Sequence, residues 1–220
     1  MRNKIIAVGI LILVASFTQM AFADAFTNIV DNGTFQTTAP MNSMGFTRLY
    51  AGTTALPGWS VGSSIDVIGT YWQAAPSGGN SVDLSGAVGS AGLTSQVLDT
   101  APVGSLWTIS FYLAANPAQS GDKTLLVTFG SQSWTYVISP SGATFADMNW
   151  ELITISNILI DTSPTTLTFS SLTASGYGPV IAGISVVDPP AGVPEPASML
   201  LLGSGLFGLA GLARWKRLSK

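Results

Sequence analysis

The sequence predicts an all-β protein whose main domain is a two-sheet β-sandwich. From residue 28 onward, Gly, Pro, Asn or Ser interrupts the chain about every eight to twelve residues, a spacing typical of short strands joined by turns. Between these breaks, apolar and polar residues alternate with a period of two. No helical periodicity appears between the two hydrophobic ends of the chain. About ten short strands of this kind are expected to form two packed antiparallel sheets.

The alternation identifies individual strands, each with one buried face and one face toward water. The clearest run covers residues 107–113, where Trp107 begins an apolar face and Thr108 begins a polar one. Trp107 and Trp134 both stand on apolar faces and are expected in the core. The pattern recurs at 124–129, 134–138, 167–169 and 180–186, and in the last run it predicts one shared buried face for Val180, Ala182, Ile184 and Val186.

Residues 1–23 have the features of a secretory signal peptide. Arg2 and Lys4 form a positive start, residues 5–17 are apolar, and Ala21 and Ala23 form a small-x-small cleavage site. The mature chain is then expected to begin at residue 24. The alternative is an uncleaved N-terminal anchor.

The C-terminal tail has three parts in a fixed order. Pro194, Glu195 and Pro196 come first, and an uncharged apolar run follows over residues 197–213. A basic cluster then closes the chain, made of Arg214, Lys216 and Arg217. The apolar run is just long enough to cross a hydrocarbon core of about 30 Å as a helix. The sequence therefore predicts one C-terminal transmembrane helix that ends on the cytoplasmic side, because positive flanks stay cytoplasmic.

This order of parts resembles the PEP-CTERM sorting signal. The resemblance implies that an exosortase, a membrane transpeptidase-like enzyme, recognises the tail at the inner membrane and cuts it near Pro-Glu-Pro. The body would then reach the cell surface or the extracellular matrix. The alternative is an ordinary anchor helix that is not removed.

The chain therefore divides into a signal peptide (1–23), a β-sandwich domain (24–188), a Pro-rich linker (189–196) and a helix with a basic tail (197–220).

The charge of the body excludes several classes of function. Residues 24–192 hold two basic residues and ten acidic ones, a net charge of −8. Such a body has no basic face for nucleic acid or for anionic lipid headgroups. The sequence contains no cysteine and no histidine, so it offers no thiol chemistry and no Ser-His-Asp triad. No phosphate-binding loop or zinc-ligand spacing is present, and no cofactor is predicted.

Short blocks spread along the body resemble a bacterial family called choice-of-anchor C. They are NIVDNGTF at 28–35, LPGWSV at 56–61, IDVIG at 65–69, SVDLSG at 81–86, LTFSSLT at 167–173 and GYGP at 176–179. The resemblance implies a galactose-binding-like jelly roll of the carbohydrate-binding type and no enzyme activity. Relatives of this kind often hold a structural calcium ion between the first and last strands. Here Gln36 and the pair Ala182 and Gly183 replace the expected acidic ligands, so no metal site is predicted.

Two kinds of residue are candidates for ligand binding. Tyr71 and Trp72 lie in a loop-like stretch before a Pro-Ser-Gly-Gly sequence, and Tyr177 lies between two glycines. Exposed aromatic rings of this kind can stack on sugars. Asp66 and Asp83 interrupt apolar strands, where a lone carboxylate needs a partner or an open cleft. For both aspartates, a structural hydrogen-bonding role and a ligand-binding role remain open.

These observations favour an exported, non-enzymatic protein that binds extracellular polysaccharide. Two alternatives remain. One is a surface glycosidase that uses two of the aspartates as paired carboxylates. The other is a structural, self-associating matrix protein without a small ligand.

Overall fold

The protein folds into two antiparallel β-sheets packed face to face, which confirms the predicted all-β sandwich. The computed structural model describes residues 27–87, 93–98 and 103–188. The predicted signal peptide, Pro-Glu-Pro segment, C-terminal helix and basic cluster all fall outside these residues. Within the described ranges, no helix has the length and apolar character needed to cross a membrane.

Eleven strands lie in the described part of the chain. The first six are β1 (Phe46–Leu49), β2 (Ser60–Val61), β3 (Ile65–Ile68), β4 (Ser81–Asp83), β5 (Leu93–Leu98) and β6 (Leu106–Ala115). The last five are β7 (Lys123–Phe129), β8 (Gln132–Ile138), β9 (Glu151–Leu159), β10 (Thr165–Ser171) and β11 (Pro179–Val187). One sheet has six strands in the order β1-β3-β4-β11-β6-β9, and the other has five in the order β2-β5-β10-β7-β8.

The core lies between the two sheets and follows the predicted alternation. In β6, buried residues alternate with half-buried ones from Trp107 to Leu113, and β7 shows the same pattern. Phe111 and Phe169 meet edge to face across the core, with ring centroids 5.2 Å apart. Trp107 is buried as expected, and Trp134 packs partly buried against the same core. Because one face of each strand is apolar, the two sheets bury their inner faces against each other.

The predicted single face of residues 180–186 is wrong. A register shift between Ala182 and Ser185 interrupts the pairing of β11 with β6, and Gly183 there adopts a φ of 60°. An extra residue of this kind reverses which face the following side chains occupy. Val180 therefore packs on the outer face of the six-stranded sheet, whereas Ile184 belongs to the main core.

A second, smaller apolar cluster covers the outer face of the six-stranded sheet. Trp72, from the β3–β4 loop, and Met148, from the β8–β9 loop, pack there on Val180. The two loops are joined through Gln73, whose N–H donates to the carbonyl of Phe145 at 2.7 Å and whose Oε1 accepts the Met148 N–H at 2.8 Å. Two long loops are thus held on this face, and the β3–β4 loop contributes Tyr71 and Trp72 to the lining of a cleft.

Candidate functional site

The cleft lies above a row of residues that crosses four strands of the six-stranded sheet. Arg48 in β1 is the register partner of Asp66 in β3, and Asp66 is the partner of Asp83 in β4. Asp83 in turn pairs with Val180 in β11. Because register partners on neighbouring strands point to the same face, and Val180 belongs to the outer-face cluster, these residues all point away from the main core. The sheet therefore places two carboxyl groups and one guanidinium group side by side.

All five predicted ligand-binding residues line this cleft, which has a volume of about 190 Å³. The sequence predicted each of them separately, and the fold brings Asp66, Tyr71, Trp72, Asp83 and Tyr177 to one place. The remaining lining residues were not predicted as site residues: Met44, Phe46, Arg48, Ile68, Gly86, Asn116, Ala118 and Gly176. Whether these side chains bind a ligand stays a prediction.

Arg48 and Asp66 form a bidentate ion pair on the floor of the cleft. Arg48 Nε donates to Asp66 Oδ1 at 2.8 Å, and Nη2 donates to Oδ2 at 2.8 Å. The Arg48 side chain is 39% exposed and the Asp66 side chain 11%. Burial raises the pKa of the Asp66 carboxyl, and the hydrogen bonds from Arg48 oppose that rise. The pair uses two of the five N–H groups of the Arg48 guanidinium. Arg48 is the more exposed residue of the pair, so its remaining N–H groups can donate to a ligand in the cleft.

Asp83 is the most densely bonded acid of the site. Its Oδ1 accepts the backbone N–H groups of Ser85 at 2.8 Å and Gly178 at 3.0 Å. Its Oδ2 accepts Asn116 Nδ2 at 2.6 Å. Only 1% of Asp83 is exposed, and burial raises its pKa to about 7 even though these three hydrogen bonds oppose the rise. A single carboxyl group thus joins the end of β4 to the β6–β7 and β10–β11 loops.

One wall of the cleft is aromatic. The Tyr71 ring lies 5.4 Å from that of Phe46, 5.7 Å from that of Trp72 and 5.1 Å from that of Phe145, measured between centroids. Tyr71 is half-buried, so part of its ring faces the cleft. Trp72 is only 6% exposed, and its Nε1 donates to Ser81 Oγ at 2.9 Å. Little of the Trp72 ring is therefore accessible, and its tilted contact with Tyr71 helps to hold that ring in place. Its stacking role stays a prediction.

Tyr177 supplies an aromatic group from a different loop. Its side chain is 39% exposed and lines the cleft. The backbone around it is fixed, since Ser175 Oγ both donates to the Tyr177 carbonyl at 3.0 Å and accepts the Tyr177 N–H at 3.2 Å. The next residue, Gly178, donates to Asp83. A side chain at Gly178 would overlap Ser85 Oγ, which explains why glycine is needed at this close approach.

Arg48 is the residue that sequence reasoning should have found. The described residues contain two basic side chains, and the other one, Lys123, is 1% exposed at the start of β7. A lone exposed cation on an acidic body is a strong signal for either a structural ion pair or a site. Phe46 and Phe145 gave no comparable signal, because nothing in their local sequence predicts that strand β1 and the β8–β9 loop would place them against Tyr71.

The described residues contain no group of three or more acidic side chains able to hold a metal ion. Gln36 is exposed in the N-terminal segment, and Ala182 is fully buried in β11. Neither residue supplies a carboxylate at the position where the resemblance would have required one. The absence of a calcium site stays a prediction.

Comparison with known proteins places the body and the tail in separate families. Residues 28–187 match the family described as protein of unknown function, DUF642. The chain belongs to this family. Residues 192–217 match the PEP-CTERM protein-sorting motif, which confirms the assignment made from the tail. That motif implies export and membrane-anchored sorting before processing.

One curated relative is Halomucin from Haloquadratum walsbyi, 29% identical over 167 residues. The match covers 73% of this chain and 2% of that protein, so the chain spans only a small part of the relative's length.

Several solved structures resemble the body in fold. An arabinose-bound α-L-arabinofuranosidase is 14% identical with a TM-score of 0.50, covering 74% of this chain and 26% of that one. A family 35 carbohydrate-binding module from Clostridium thermocellum is 14% identical with a TM-score of 0.42, covering 64% and 97%. The xylan-binding CBM22-1 domain from Paenibacillus barcinonensis is 17% identical with a TM-score of 0.41, covering 75% and 99%. The likeness to the arabinofuranosidase shows the sandwich fold and nothing of the activity.

Proposed function

We propose that this chain is an exported, non-enzymatic carbohydrate-binding protein whose ligand occupies the cleft over β1, β3 and β4. The observation that carries the proposal is the composition of the cleft: a polar floor formed by the Arg48–Asp66 pair, bordered by the rings of Tyr71 and Tyr177. Sugars present hydroxyl groups at their edges and C–H groups on their faces. A few fixed polar groups between apolar walls is the usual arrangement of a small-molecule site.

The charge of the cleft favours a neutral glycan. Arg48 is already neutralised by Asp66, and the second carboxyl, that of Asp83, lies beside the pair. The body as a whole has a net charge of −8, which repels polyanions at low ionic strength. A neutral sugar needs no charge partner, and its hydroxyl groups can both donate to Asp66 and accept from Arg48.

The C-terminal tail determines where in the cell this binding domain is sent. The PEP-CTERM motif at residues 192–217 supports an exosortase as the processing partner. Before processing, the chain would be held at the inner membrane by the apolar run at residues 197–213. After processing, the body would reach the cell surface or the extracellular matrix and bind polysaccharide there.

A glycosidase is the second candidate, because Asp66 and Asp83 are register partners that line the same cleft. Facing residues on antiparallel strands have Cα atoms about 4.5–5.5 Å apart, and retaining glycosidases hold their carboxyl groups about 5–5.5 Å apart. However, both oxygens of each carboxyl already accept hydrogen bonds from the protein. Side-by-side carboxyl groups on a floor are also poorly placed to reach opposite sides of one glycosidic bond. We therefore expect no release of reducing ends from any glycan that binds.

The test is affinity electrophoresis of the purified full chain in gels that contain galactan, xylan, glucomannan or laminarin, with alginate as the acidic counterpart. At least one neutral polymer should retard the protein. The variant Tyr177→Ala should weaken binding about tenfold or more, a loss of roughly 1.4 kcal/mol. The matched control is Tyr50→Ala, because Tyr50 is exposed but does not line the cleft.

Two results would overturn the proposal. The first is that no neutral polymer binds, which would favour a structural, self-associating role. The second is binding that Tyr177→Ala and Tyr50→Ala weaken equally, which would place the ligand elsewhere.

A further inference from the structure

We propose that three aromatic side chains, Phe46, Tyr71 and Phe145, form a platform that carries a second sugar unit next to the one in the cleft. The inference rests on the proposed function and specifies its ligand as a neutral polymer instead of a single sugar. Phe46 and Tyr71 line the cleft, and Phe145 does not line it but packs against Tyr71. The platform therefore starts inside the cleft and continues outside it.

The three rings form a continuous surface. Tyr71 stands between the other two, with centroids 5.4 Å from Phe46 and 5.1 Å from Phe145. The ring planes are tilted by 59° and 50°, so the surface is curved. Exposure increases outward: Phe46 and Tyr71 are half-buried, whereas Phe145 is 42% exposed. A chain of sugar rings leaving the cleft would meet Phe145 next.

The fold holds Phe145 in place although its ring is exposed. Its carbonyl accepts the N–H of Gln73, which belongs to the same loop as Tyr71. On either side of it, Thr144 and Asp147 exchange two backbone hydrogen bonds of 2.7 and 3.1 Å. Met148, which follows, is 1% exposed in the outer-face cluster. A ring presented on such a fixed turn loses little conformational freedom when a ligand binds.

The charges around the platform favour a neutral polymer over an anionic one. The charged residue nearest to Phe145 along the chain is the exposed Asp147, and the one nearest to Phe46 is Arg48. Among the described residues, the exposed cation is Arg48, and it is paired with Asp66 on the cleft floor. An exposed apolar surface that continues from a polar cleft, and whose neighbouring cation is already paired with a carboxylate, fits the face of a neutral sugar.

The experiment is isothermal titration of the full chain with one- to four-unit oligomers of the β-linked galactose, xylose and glucose series. In at least one series, the affinity should rise about tenfold from the monomer to the trimer. Phe145→Ala should abolish this rise, so that the trimer binds the variant no more tightly than the monomer does. Phe145→Tyr, which keeps the ring, should preserve the rise. Leu159→Ala is the control, because Leu159 is exposed on β9 at the opposite edge of the sheet.

The outcomes separate this inference from the proposed function. Monomer binding with no gain for longer oligomers overturns the platform and leaves the cleft as a single-sugar site. An equal loss in Phe145→Ala and Leu159→Ala also overturns the platform. If no oligomer of any series binds, the platform and the proposed function fail together.

Discussion

Replacing Asp83 by Asn removes a charge from the cleft while keeping the shape of the side chain. In the native protein this carboxyl accepts three hydrogen bonds, from Ser85, Asn116 and Gly178. Burial nevertheless raises its pKa to about 7. The same group titrates near a pH of about 3.9 in an unfolded chain. Between these two pH values the folded protein keeps a proton that the unfolded chain has released.

The sign of the pH dependence follows from this difference. When folding raises the pKa of an acid, the stability that it contributes is present at low pH and is lost as the pH rises toward the folded-state value. For Asp83 the loss runs from a pH of about 4 to about 7. Between pH 8 and pH 5, the native chain should gain about 2.5 kcal/mol of unfolding free energy relative to Asp83→Asn, whose amide does not titrate. Acids that do not interact with Asp83 contribute equally to both chains and cancel in the comparison, whereas Asp66 interacts with Asp83 directly.

The assay is urea unfolding of both full chains, followed by tryptophan fluorescence at pH 5, 6, 7 and 8. The difference in unfolding free energy between native protein and variant should shift steadily in favour of the native chain as the pH falls. A shift in the opposite direction would refute the reasoning. It would mean that the three donors hold the carboxyl ionised, with a pKa below that of a free aspartate.

Three further substitutions test other parts of the structure. Trp72→Phe removes the indole donor to buried Ser81 and should cost about 1–3 kcal/mol of stability in thermal unfolding; a tenfold loss of glycan affinity at unchanged melting temperature would instead make Trp72 a contact residue. Gly178→Ala forces a methyl group into Ser85 and should cost about 1–3 kcal/mol, while unchanged stability would contradict the close approach. Lys123→Met removes the ammonium group from a side chain whose stem is buried, and because its hydrogen bond to the Ser120 carbonyl is long, at 3.5 Å, stability should change by less than about 1 kcal/mol at pH 8. A loss above about 3 kcal/mol would show that the charge is needed there.

The sequence was most informative where one strand face is apolar. The alternation around Phe111 and Phe169 predicted inward-facing residues correctly. With a period of two, burying one face of a strand fixes which of its residues point into the core. It failed at Gly183, where a bulge inserts one residue and exchanges the faces. Glycine inside a strand is a known sign of a bulge, so this error could have been avoided.

The site could be predicted only one residue at a time. Asp66 and Asp83 were identified because an acid inside an apolar strand needs a partner, but the partner of each lies far along the chain. Arg48 is 18 residues from Asp66, and Asn116 is 33 residues from Asp83. The order of the strands in the sheet decides which residues become neighbours, and that order cannot be read from a local sequence pattern. For the same reason the ring of Trp72 could not be recognised as buried, since a loop from another part of the chain helps to cover it.

The most direct test of the central claim is a crystal structure of the protein soaked with the neutral oligosaccharide that binds best. We expect a sugar ring between Tyr71 and Tyr177, with hydroxyl groups within hydrogen-bonding distance of Arg48 and Asp66. A second cleft of about 460 Å³, formed by residues 52–54 and 56–61, offers a different location on the same molecule. A sugar bound there, with the cleft over β1, β3 and β4 empty, would contradict the account.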